Sequence, residues 1–417
     1  MRILKDKAAD AYVRGLERRG SRLDDIEPVV KKIVDDVRRG GDQALLKYAR
    51  KFDGLEPKQD LRVCKAEFHA AWENAPADLR SALRVAVKNI RRFCEWQKPK
   101  EWMRASNGVT LGQLVRPLDS VGCYVPGGRF PLVSTLLMTV IPAQVAGVKN
   151  IRVVSPKPSQ EVLAAAQMLG VQEFYRVGGA QAIAALAYGT KSIASVDKII
   201  GPGNLYVTAA KKMVSFNCAI DMLAGPTEVV IVSEMGNPAF IAADLIAQAE
   251  HDPETLAVFI TTSKSLATRV KDMAEEQDEL PVRVNENARQ SLRSRGAVLI
   301  APSRAQAFDW AKRIAPEHIT VEKRDLPLVQ NAGSVFVGDY SAQAAGDYAS
   351  GPNHVLPTAG AARFRGGLSV MDFVKIITVQ ELSARGLRKI APAIVGLAET
   401  EGLQAHADSI RVRCGNA

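Results

Sequence analysis

Cysteine is scarce in this sequence, and the few cysteines are poorly placed for disulfide or metal motifs. The 417 residues include five, at positions 64, 94, 123, 218 and 414, with no Cys-x-x-Cys pair. An odd number of widely spaced thiols does not make a disulfide framework. We therefore expect a chain that works in a reducing, cytoplasmic compartment.

Long hydrophobic segments are also lacking. The first residues, MRILKDK, contain no apolar core of the kind that signal peptides carry. The longest stretch without Asp, Glu, Lys or Arg runs from Phe130 to Val148 and includes Ser134, Thr135 and Pro142. A membrane-spanning helix would have to bury those interruptions in lipid. We predict a buried helix of a globular protein and no membrane role.

Positive charge is in moderate excess, mostly before residue 120, but no run of five or more like charges occurs. Lys and Arg number 55 against 45 Asp and Glu, which gives a net charge of +10. The basic residues lie on helix-like stretches such as 24–39, where acidic residues alternate with them, and 80–92, where apolar and neutral residues separate most of them. This pattern is typical of a solvated helical surface rather than of a nucleic-acid-binding patch. We therefore predict no nucleic-acid partner.

The sequence does contain a long alternation of strand-like and helix-like segments. Residues up to about 110 have the apolar spacing of helices, whereas β-branched runs alternate with alanine-rich stretches beyond residue 115. Such alternation indicates βαβ units and parallel sheets, so we predict two α/β domains in tandem and a small C-terminal domain. The predicted strands are 121–125, 151–154, 174–177, 198–200, 229–232, 257–261, 297–300, 319–321, 334–337 and 409–412. The predicted helices after residue 115 are 132–148, 160–169, 181–187, 205–216, 238–250, 264–276, 304–314, 379–385 and 389–399.

Two histidines lie next to other groups that could share their chemistry. Gln248 and His251 are three residues apart near the end of a predicted helix, so they share a face and could hold a divalent metal. A histidine at that position could equally cap the helix. Glu317 and His318 precede a predicted strand, where an acid beside an imidazole could transfer protons, or could be an exposed pair.

Several loops rich in glycine and proline follow predicted strands. The segment 346–358 combines Asp347 and His354 with small residues, and it is either part of a site or a turn of local origin. Glycine-rich turns at 126–128, 178–181, 201–204 and 224–228 could bind an anion through backbone amides. None of them is a dinucleotide fingerprint or a P-loop, so a nucleotide is suggested without being established.

One cysteine supplies a rival hypothesis. Cys123 ends a predicted strand beside Tyr124 and a glycine-rich turn, where the thiolate of an aldehyde-oxidising enzyme could lie. A small buried hydrophobic residue is the alternative.

Taken together, these segments resemble the histidinol dehydrogenase family. The matching segments, in the family's order, are 122–128, 177–182, 201–204, 224–228, 248–252, 315–318, 346–358 and 401–406, with 40–42 and 51–54 similar as well. The resemblance implies oxidation of L-histidinol to L-histidine, the last step of histidine biosynthesis, by two NAD-dependent hydride transfers through histidinal. A paralogue that oxidises a different alcohol and a catalytically silent binding protein on the same fold are the alternatives.

The resemblance also implies roles for individual residues. The zinc ligands would be Gln248, His251, Asp347 and His406. The catalytic residues would be Glu317, which activates water, and His318, the base. The NAD contacts would be Tyr124, Gln181 and Asn204. Substrate contacts would come from Thr227, His354, Glu401, His318 and the zinc ligands.

The fold implied by the family is α/β, with two incomplete Rossmann-like domains, one inserted in the other. An N-terminal helical arm would cover 1–21, and the substrate and metal side would comprise 22–123 plus 227–368. The NAD side would be 124–226, and 369–417 would form a small helical domain that crosses to a partner. In such a homodimer, Glu401 and His406 would complete the partner's site.

Overall fold

Two parallel β-sheets and one small antiparallel sheet organise the chain. The computed structural model describes residues 1–17, 19, 23–127, 132–275 and 282–415. The strands are β1 (Arg2–Lys5), β2 (Trp102–Ser106), β3 (Val109–Pro117), β4 (Ser120–Tyr124), β5 (Asn150–Val154), β6 (Glu173–Tyr175), β7 (Lys198–Ile200), β8 (Ala219–Ile220), β9 (Glu228–Val232), β10 (Leu256–Thr261), β11 (Ala297–Ile300), β12 (His318–Val321), β13 (Ser334–Val337) and β14 (Val374–Leu382).

Helices cover the sheets and form the C-terminal end. They are α1 (Asp6–Glu17), α2 (Glu27–Tyr48), α3 (Lys65–Asn74), α4 (Ala77–Gln97), α5 (Val133–Ala146), α6 (Gln160–Leu169), α7 (Gly179–Tyr188), α8 (Leu205–Val214), α9 (Pro238–Ala249), α10 (Lys264–Glu275), α11 (Glu286–Ser294), α12 (Arg304–Ile314), α13 (Gln343–Tyr348), α14 (Ala384–Thr400) and α15 (Gln404–Cys414). A π-helical segment, Ala49–Asp53, extends α2. Among the described residues, no helix is long and apolar enough to cross a membrane.

The first parallel sheet has five strands in the order β6-β5-β4-β7-β8. In chain order this is 3-2-1-4-5, the arrangement of mononucleotide-binding α/β units. The central strand β4 is almost entirely buried, as expected for a strand that helices cover on both faces. The carboxyl ends of β4 and β7 therefore lie side by side, where such units bind ligands.

Helices α2, α3 and α4 belong with this five-stranded sheet. Helix α2 packs against α7 and α8, α3 packs against α6, and α4 packs against α5. The apolar stripe of α2, which includes Val30 and Val37, is completely buried in the same core as Ile183 of α7. The boundaries expected from the sequence group 22–123 with the other sheet. The packing groups these helices with β4, because their apolar faces are buried there.

The second parallel sheet has six strands in the order β1-β11-β10-β9-β12-β13. Its edge strand is β1, in which Arg2 pairs with Ala297 and Lys5 with Ile300 of β11. The expected N-terminal arm, 1–21, is therefore not wholly helical, since a strand precedes α1. Four residues are too few for periodicity to separate a strand from a helix, and the pairing with β11 decides the outcome.

The third sheet is antiparallel and joins the middle of the chain to its C-terminal region. Strand β14 pairs with β3 along its whole length, from Val374 opposite Pro117 to Leu382 opposite Val109, and β3 pairs with β2. The predicted helix at 379–385 and the predicted strand at 409–412 were wrong: 379–382 lies in β14, and 409–412 lies within α15. The helical prediction for residues up to 110 was also wrong at β2. The partner strand supplies the hydrogen bonds that favour β14 over a helix.

The other strands and helices predicted after residue 115 are confirmed. Apart from those at the C-terminus, each predicted boundary that the structure describes falls within two residues of the observed one. A few predicted positions lie outside the described residues: Gly128 of the first glycine-rich turn, Phe130 of the uncharged stretch, Glu276, and residues near the ends of the segments 1–21 and 369–417.

Candidate functional site

The candidate catalytic residues lie at the amino edge of the six-stranded sheet. Strand β12 starts at His318, which pairs with Val229 of the neighbouring parallel strand β9. Residues that immediately precede or begin these two strands are therefore neighbours, which brings Thr227 close to Glu317. This edge is the opposite of the carboxyl edge at which such sheets usually bind ligands.

Glu317 accepts two hydrogen bonds in a buried position. Its Oε2 lies 2.5 Å from Oγ1 of Thr227 and 2.9 Å from the backbone nitrogen of Glu228. The Nε2 atom of Gln248 donates in turn to Oγ1 of Thr227, at 2.5 Å. Burial raises the pKa of Glu317 well above the ordinary value of a glutamate. A buried carboxyl group of this kind holds its proton more strongly than an exposed glutamate does.

His318 is held as a neutral imidazole. Its Nδ1 lies 3.1 Å from the carbonyl oxygen of Glu228, so this nitrogen carries the hydrogen and Nε2 keeps its lone pair. Burial lowers the pKa of His318 below the ordinary value of a histidine. Nε2 lies 3.8 Å from Oδ1 of Asp347. Because Glu317 and His318 are both buried, the alternative of an exposed pair is wrong.

The segment 346–358 brings an acid and a second histidine to this site. Residues 346–348 complete helix α13 rather than a loop. Nδ1 of His354 lies 2.8 Å from the backbone oxygen of Asp347. Burial lowers the pKa of His354, and the charges of Asp347, His318 and His251 also act on that pKa. The structure thus brings the side chains of His251, His318, Asp347 and His354 close to one another, and we call this group the histidine neighbourhood.

His251 lies at the open side of the histidine neighbourhood. It follows the C-terminal end of α9 and is exposed. It lines a cavity of about 490 Å³ together with Tyr348 and Glu250. The remaining walls of that cavity are mostly apolar and come from α4 and α5, through residues such as Leu83 and Leu137.

The structure does not bring every implied zinc ligand together within one chain. His406 is exposed on α15, and Glu401 is exposed just after α14. The described part of the chain contains no group of three or more His, Cys, Asp or Glu residues placed to hold a metal ion. Glutamine is not among those residue types; Gln248 is buried near the end of α9, three residues before His251.

The three candidate NAD contacts line one cavity at the carboxyl edge of the five-stranded sheet. This cavity has a volume of about 680 Å³, and Tyr124, Gln181 and Asn204 all face it. The hydroxyl oxygen of Tyr124 accepts from the backbone nitrogen of Gly179 at 3.1 Å. Oδ1 of Asn204 accepts from the backbone nitrogen of Val207 at 3.1 Å and caps α8. Three of the glycine-rich turns contribute to this cavity, through Gly127, residues 179–181 and Asn204.

An acid that no sequence motif singles out organises this cavity. Asp53, at the end of the π-helical segment, is buried, and its Oδ2 accepts from the backbone nitrogen of Gly178 and from Nε2 of Gln181, both at 3.0 Å. It therefore orients the Gln181 amide. The segment 51–54 resembles the family, but nothing in its local sequence indicates contact with a turn more than a hundred residues away.

A buried ion pair holds the glycine-rich turn 201–204, which also borders this cavity. Lys211 and Asp221 form a salt bridge, and both also bind Gly201: Nζ of Lys211 donates to its oxygen at 2.9 Å, and Oδ2 of Asp221 accepts from its nitrogen at 2.7 Å. Gly201 has a φ of +116°, and a Cβ there would lie 2.2 Å from the backbone oxygen of Tyr124. Only glycine fits this position.

Cys123 is not placed for nucleophilic chemistry. It is fully buried in β4, and burial raises the pKa of its thiol to about 12. A reactive thiol needs a lowered pKa and access to its substrate. The hypothesis of a cysteine-dependent aldehyde dehydrogenase therefore loses its nucleophile, and Cys123 is a small core residue.

These features define an α/β enzyme with a buried acid–base pair on one sheet and a nucleotide-sized cavity on the other. The model of the family described as histidinol dehydrogenase matches residues 16–414. Histidinol dehydrogenase from Methanothermobacter thermautotrophicus is 46% identical over 410 residues, which cover 95% of this chain and 96% of that protein. Histidinol dehydrogenase from Geobacter sulfurreducens is 43% identical over 424 residues, which cover 98% of each.

A solved structure agrees with these sequence relatives. The crystal structure of histidinol dehydrogenase from Elizabethkingia anophelis matches with a TM-score of 0.92 and 35% identity, covering 99% of this chain and 98% of that one. The chain belongs to the histidinol dehydrogenase family and is an oxidoreductase. The resemblance stated from the sequence is confirmed.

Proposed function

We propose that this protein oxidises L-histidinol to L-histidine, the last step of histidine biosynthesis, through histidinal and with zinc and NAD. Family membership supports the substrate and the type of reaction. The observation that carries the proposal is the hydrogen-bonded chain from Gln248 through Thr227 to Glu317, beside a neutral His318. The cytoplasmic location stays a prediction from the sequence.

His318 is the base in both oxidations. Its Nδ1 hydrogen is committed to the carbonyl oxygen of Glu228, so Nε2 accepts the hydroxyl proton of the substrate. The lowered pKa keeps the imidazole in the neutral form that a base requires. NAD, when bound, supplies the acceptor for the hydride that leaves the same carbon in each oxidation.

Glu317 acts between the two oxidations, when the aldehyde must be hydrated. It takes a proton from water as the water oxygen bonds to the aldehyde carbon, and that proton then reaches the new hydroxyl group. The raised pKa makes its carboxylate a stronger base than an exposed glutamate. Thr227 and the backbone of Glu228 hold the carboxylate through Oε2. The second oxidation then converts the hydrate to the carboxylic acid.

Three residues of one chain fit a zinc site that is open to substrate. Nε2 of Gln248 is committed to Thr227, which leaves Oε1 as a donor for a metal. His251 is exposed beside the cavity, and the Asp347 carboxylate takes part in no hydrogen bond among the described residues. Oxygen and nitrogen donors of this kind suit a zinc site that keeps room for substrate. Zinc bound there would anchor the imidazole and amine of the substrate.

The fourth ligand would come from a second copy of the chain. His406 is exposed on α15 and is available to another subunit. We propose a homodimer in which His406 and Glu401 of the partner subunit complete each site, with Glu401 contacting the substrate. Thr227 and His354 would be the further substrate contacts of the first subunit, since both lie beside the catalytic pair.

The five-stranded sheet would bind the dinucleotide. Tyr124, Gln181 and Asn204 face a cavity at the carboxyl edge of a sheet with 3-2-1-4-5 strand order, which is where such units hold nucleotides. The two sheets would then be two incomplete Rossmann-like units. The NAD-side unit would lie between β1 and the rest of the substrate-side sheet in sequence.

The experiment that tests this function is NADH formation from a limiting amount of L-histidinol, with excess NAD and added zinc. We expect two NADH for each histidinol, loss of activity with a chelator and recovery with zinc. Absence of turnover by a folded, zinc-loaded protein would reject histidinol and favour another alcohol or a silent binding protein. Activity that survives complete removal of metal would reject the zinc proposal.

A mixing experiment tests the shared site. His318→Ala and His406→Ala should each be inactive as homodimers. If the site is shared, a heterodimer of the two has one site with both changes and one with neither. Random reassortment of equal amounts should therefore restore about a quarter of the wild-type activity. No recovery in a mixture proven to contain heterodimers would place both residues in the same subunit's site.

A further inference from the structure

Arg19 and Glu228 form an ion pair that the proposed mechanism does not use. Nε of Arg19 lies 2.6 Å from Oε1 of Glu228, and Nη2 lies 2.7 Å from Oε2, a two-point contact. Nη2 also donates to the backbone oxygen of Ile314 at 2.8 Å. The Glu228 side chain is only 4% exposed. The pair joins the segment after α1 to the first residue of β9.

The backbone of Glu228 holds both catalytic side chains. Its nitrogen donates to Oε2 of Glu317 at 2.9 Å, and its oxygen accepts from Nδ1 of His318 at 3.1 Å. The Glu228 side chain also accepts from the backbone nitrogen of Ala359 at 3.1 Å, which fixes the end of the segment that carries His354. The two peptide groups of this single residue therefore set where the carboxylate and the imidazole lie.

Arg19 is the counter-charge that allows the Glu228 carboxylate to stay buried. Removing one partner of a buried pair leaves an uncompensated charge, which is strongly unfavourable. The carboxylate can relieve this by moving toward water, and its peptide groups move with it. A shift of the Glu228 carbonyl away from His318 removes the hydrogen bond that selects the Nδ1–H tautomer. Nε2 would then no longer be the only basic nitrogen.

We propose that Arg19 is a positioning residue for catalysis. It fixes Glu228, which in turn holds the Glu317 carboxylate and keeps Nε2 of His318 free to accept a proton. The inference rests on the proposed roles of Glu317 and His318. Arg19 would thus affect catalysis without contacting either Glu317 or His318.

The first test separates chemistry from cofactor binding. Arg19→Met should lower kcat by about 10- to 100-fold, because small displacements of catalytic groups have effects of this size. The KM for NAD should not change, since its cavity lies on the other sheet. Arg313→Met is the matched control: Arg313 joins α12 to α1 through Asp10 and Glu17, at 2.7 and 2.8 Å. This control should leave kcat unchanged.

Rescue experiments distinguish positioning from a general loss of structure. A cavity of about 510 Å³ lies beside Arg19 and is also lined by Tyr12, Glu228 and Arg295. Added guanidinium should therefore enter Arg19→Ala and restore part of kcat, and Arg19→Lys should retain more activity than Arg19→Met. An equal loss in Arg19→Met and Arg313→Met, with no rescue, would overturn the inference.

A spectroscopic readout makes the inference independent of turnover. With histidines labelled with ¹⁵N, long-range ¹H–¹⁵N spectra report which ring nitrogen of His318 carries the hydrogen, assigned by comparison with His318→Gln. We expect the Nδ1–H tautomer in the wild type and a mixture in Arg19→Met. An unchanged tautomer together with unchanged kcat would refute the role of Arg19. A wild type that does not oxidise histidinol would instead refute the proposed function, while the tautomer would still report the positioning.

Discussion

The buried ion pair between Lys211 and Asp221 allows a quantitative test of how the cavity beside the five-stranded sheet is built. Replacing Lys211 with methionine keeps most of the length of the unbranched side chain and removes its charge. The Asp221 carboxylate, which is fully buried, then loses its only salt-bridge partner among the described residues. It keeps hydrogen bonds from the backbone nitrogens of Gly201 and Met222, at 2.7 and 2.6 Å.

The expected loss of stability follows from those contacts. Breaking a buried ion pair by removing one partner typically costs about 3–5 kcal/mol. The two remaining hydrogen bonds offset part of the uncompensated charge, so we expect a value near the lower end, about 3 kcal/mol. Asp221→Asn combined with Lys211→Met should recover part of this loss, because it removes the buried charge.

The assay is urea denaturation of the variants, with Lys212→Met as the matched control. Lys212 is the next residue on the same helix and pairs with Glu27, but its side chain is 49% exposed whereas that of Lys211 is 3% exposed. An exposed pair contributes little to stability. Lys212→Met should therefore leave the transition unchanged, while Lys211→Met should move it to lower urea.

Lys211→Met should also weaken the binding of NAD more than the binding of histidinol. Lys211 and Asp221 both bind Gly201, at the start of the turn that carries Asn204. Lys211→Met should therefore raise the KM for NAD more than the KM for histidinol. Equal shifts of the urea midpoint in Lys211→Met and Lys212→Met would refute the reasoning about burial. An unchanged KM for NAD in a destabilised Lys211→Met would refute the link to the cavity.

Three further substitutions test separate parts of the site. Glu317→Gln should stop at one NADH per histidinol and release the aldehyde, because an amide cannot take a proton from water. A carbonyl-trapping reagent detects the released aldehyde. Formation of two NADH per histidinol would contradict the role of Glu317. Cys123→Ser should retain turnover, since burial raises the pKa of that thiol to about 12; abolished turnover in a folded variant would revive the cysteine hypothesis. Gly201→Ala should raise the KM for NAD at least about tenfold in initial-rate assays, because its Cβ would lie 2.2 Å from the oxygen of Tyr124; unchanged kinetics would show that the turn is not needed.

The sequence predicts most of the two parallel sheets because their strands are short β-branched runs between alanine-rich helices. The run at 297–300 and the helix at 304–314 match the observed bounds at both ends. Strand β14 escapes prediction because its structure depends on β3, which lies far away in sequence. The strand β1 escapes for the same reason, since its partner is β11. Local pattern cannot indicate a partner of this kind.

The candidate site likewise contains residues that the sequence indicates and contacts that it does not. Glu317 and His318 stand out because they are neighbours in sequence, and the structure adds that both are buried. The link from Arg19 to Glu228 joins residues 209 positions apart, so no spacing rule reveals it. Asp53 reaches Gln181 across 128 positions. The sequence therefore indicates which residue types carry the chemistry, and the fold determines which residues hold them in place.

The location of β1 has a consequence for the order in which the chain folds during synthesis. Helices α2–α4 and all five strands from β4 to β8 are complete once residue 220 has been made, and only β2 and β3 of the antiparallel sheet lie among them in sequence. Strand β1 is synthesised before the other described strands, yet Arg2 can pair only after Ala297 has been made. Contacts between such distant residues form late, because the intervening loop must close first. We therefore expect β1 to lack its partner β11 while the five-stranded sheet is already able to assemble.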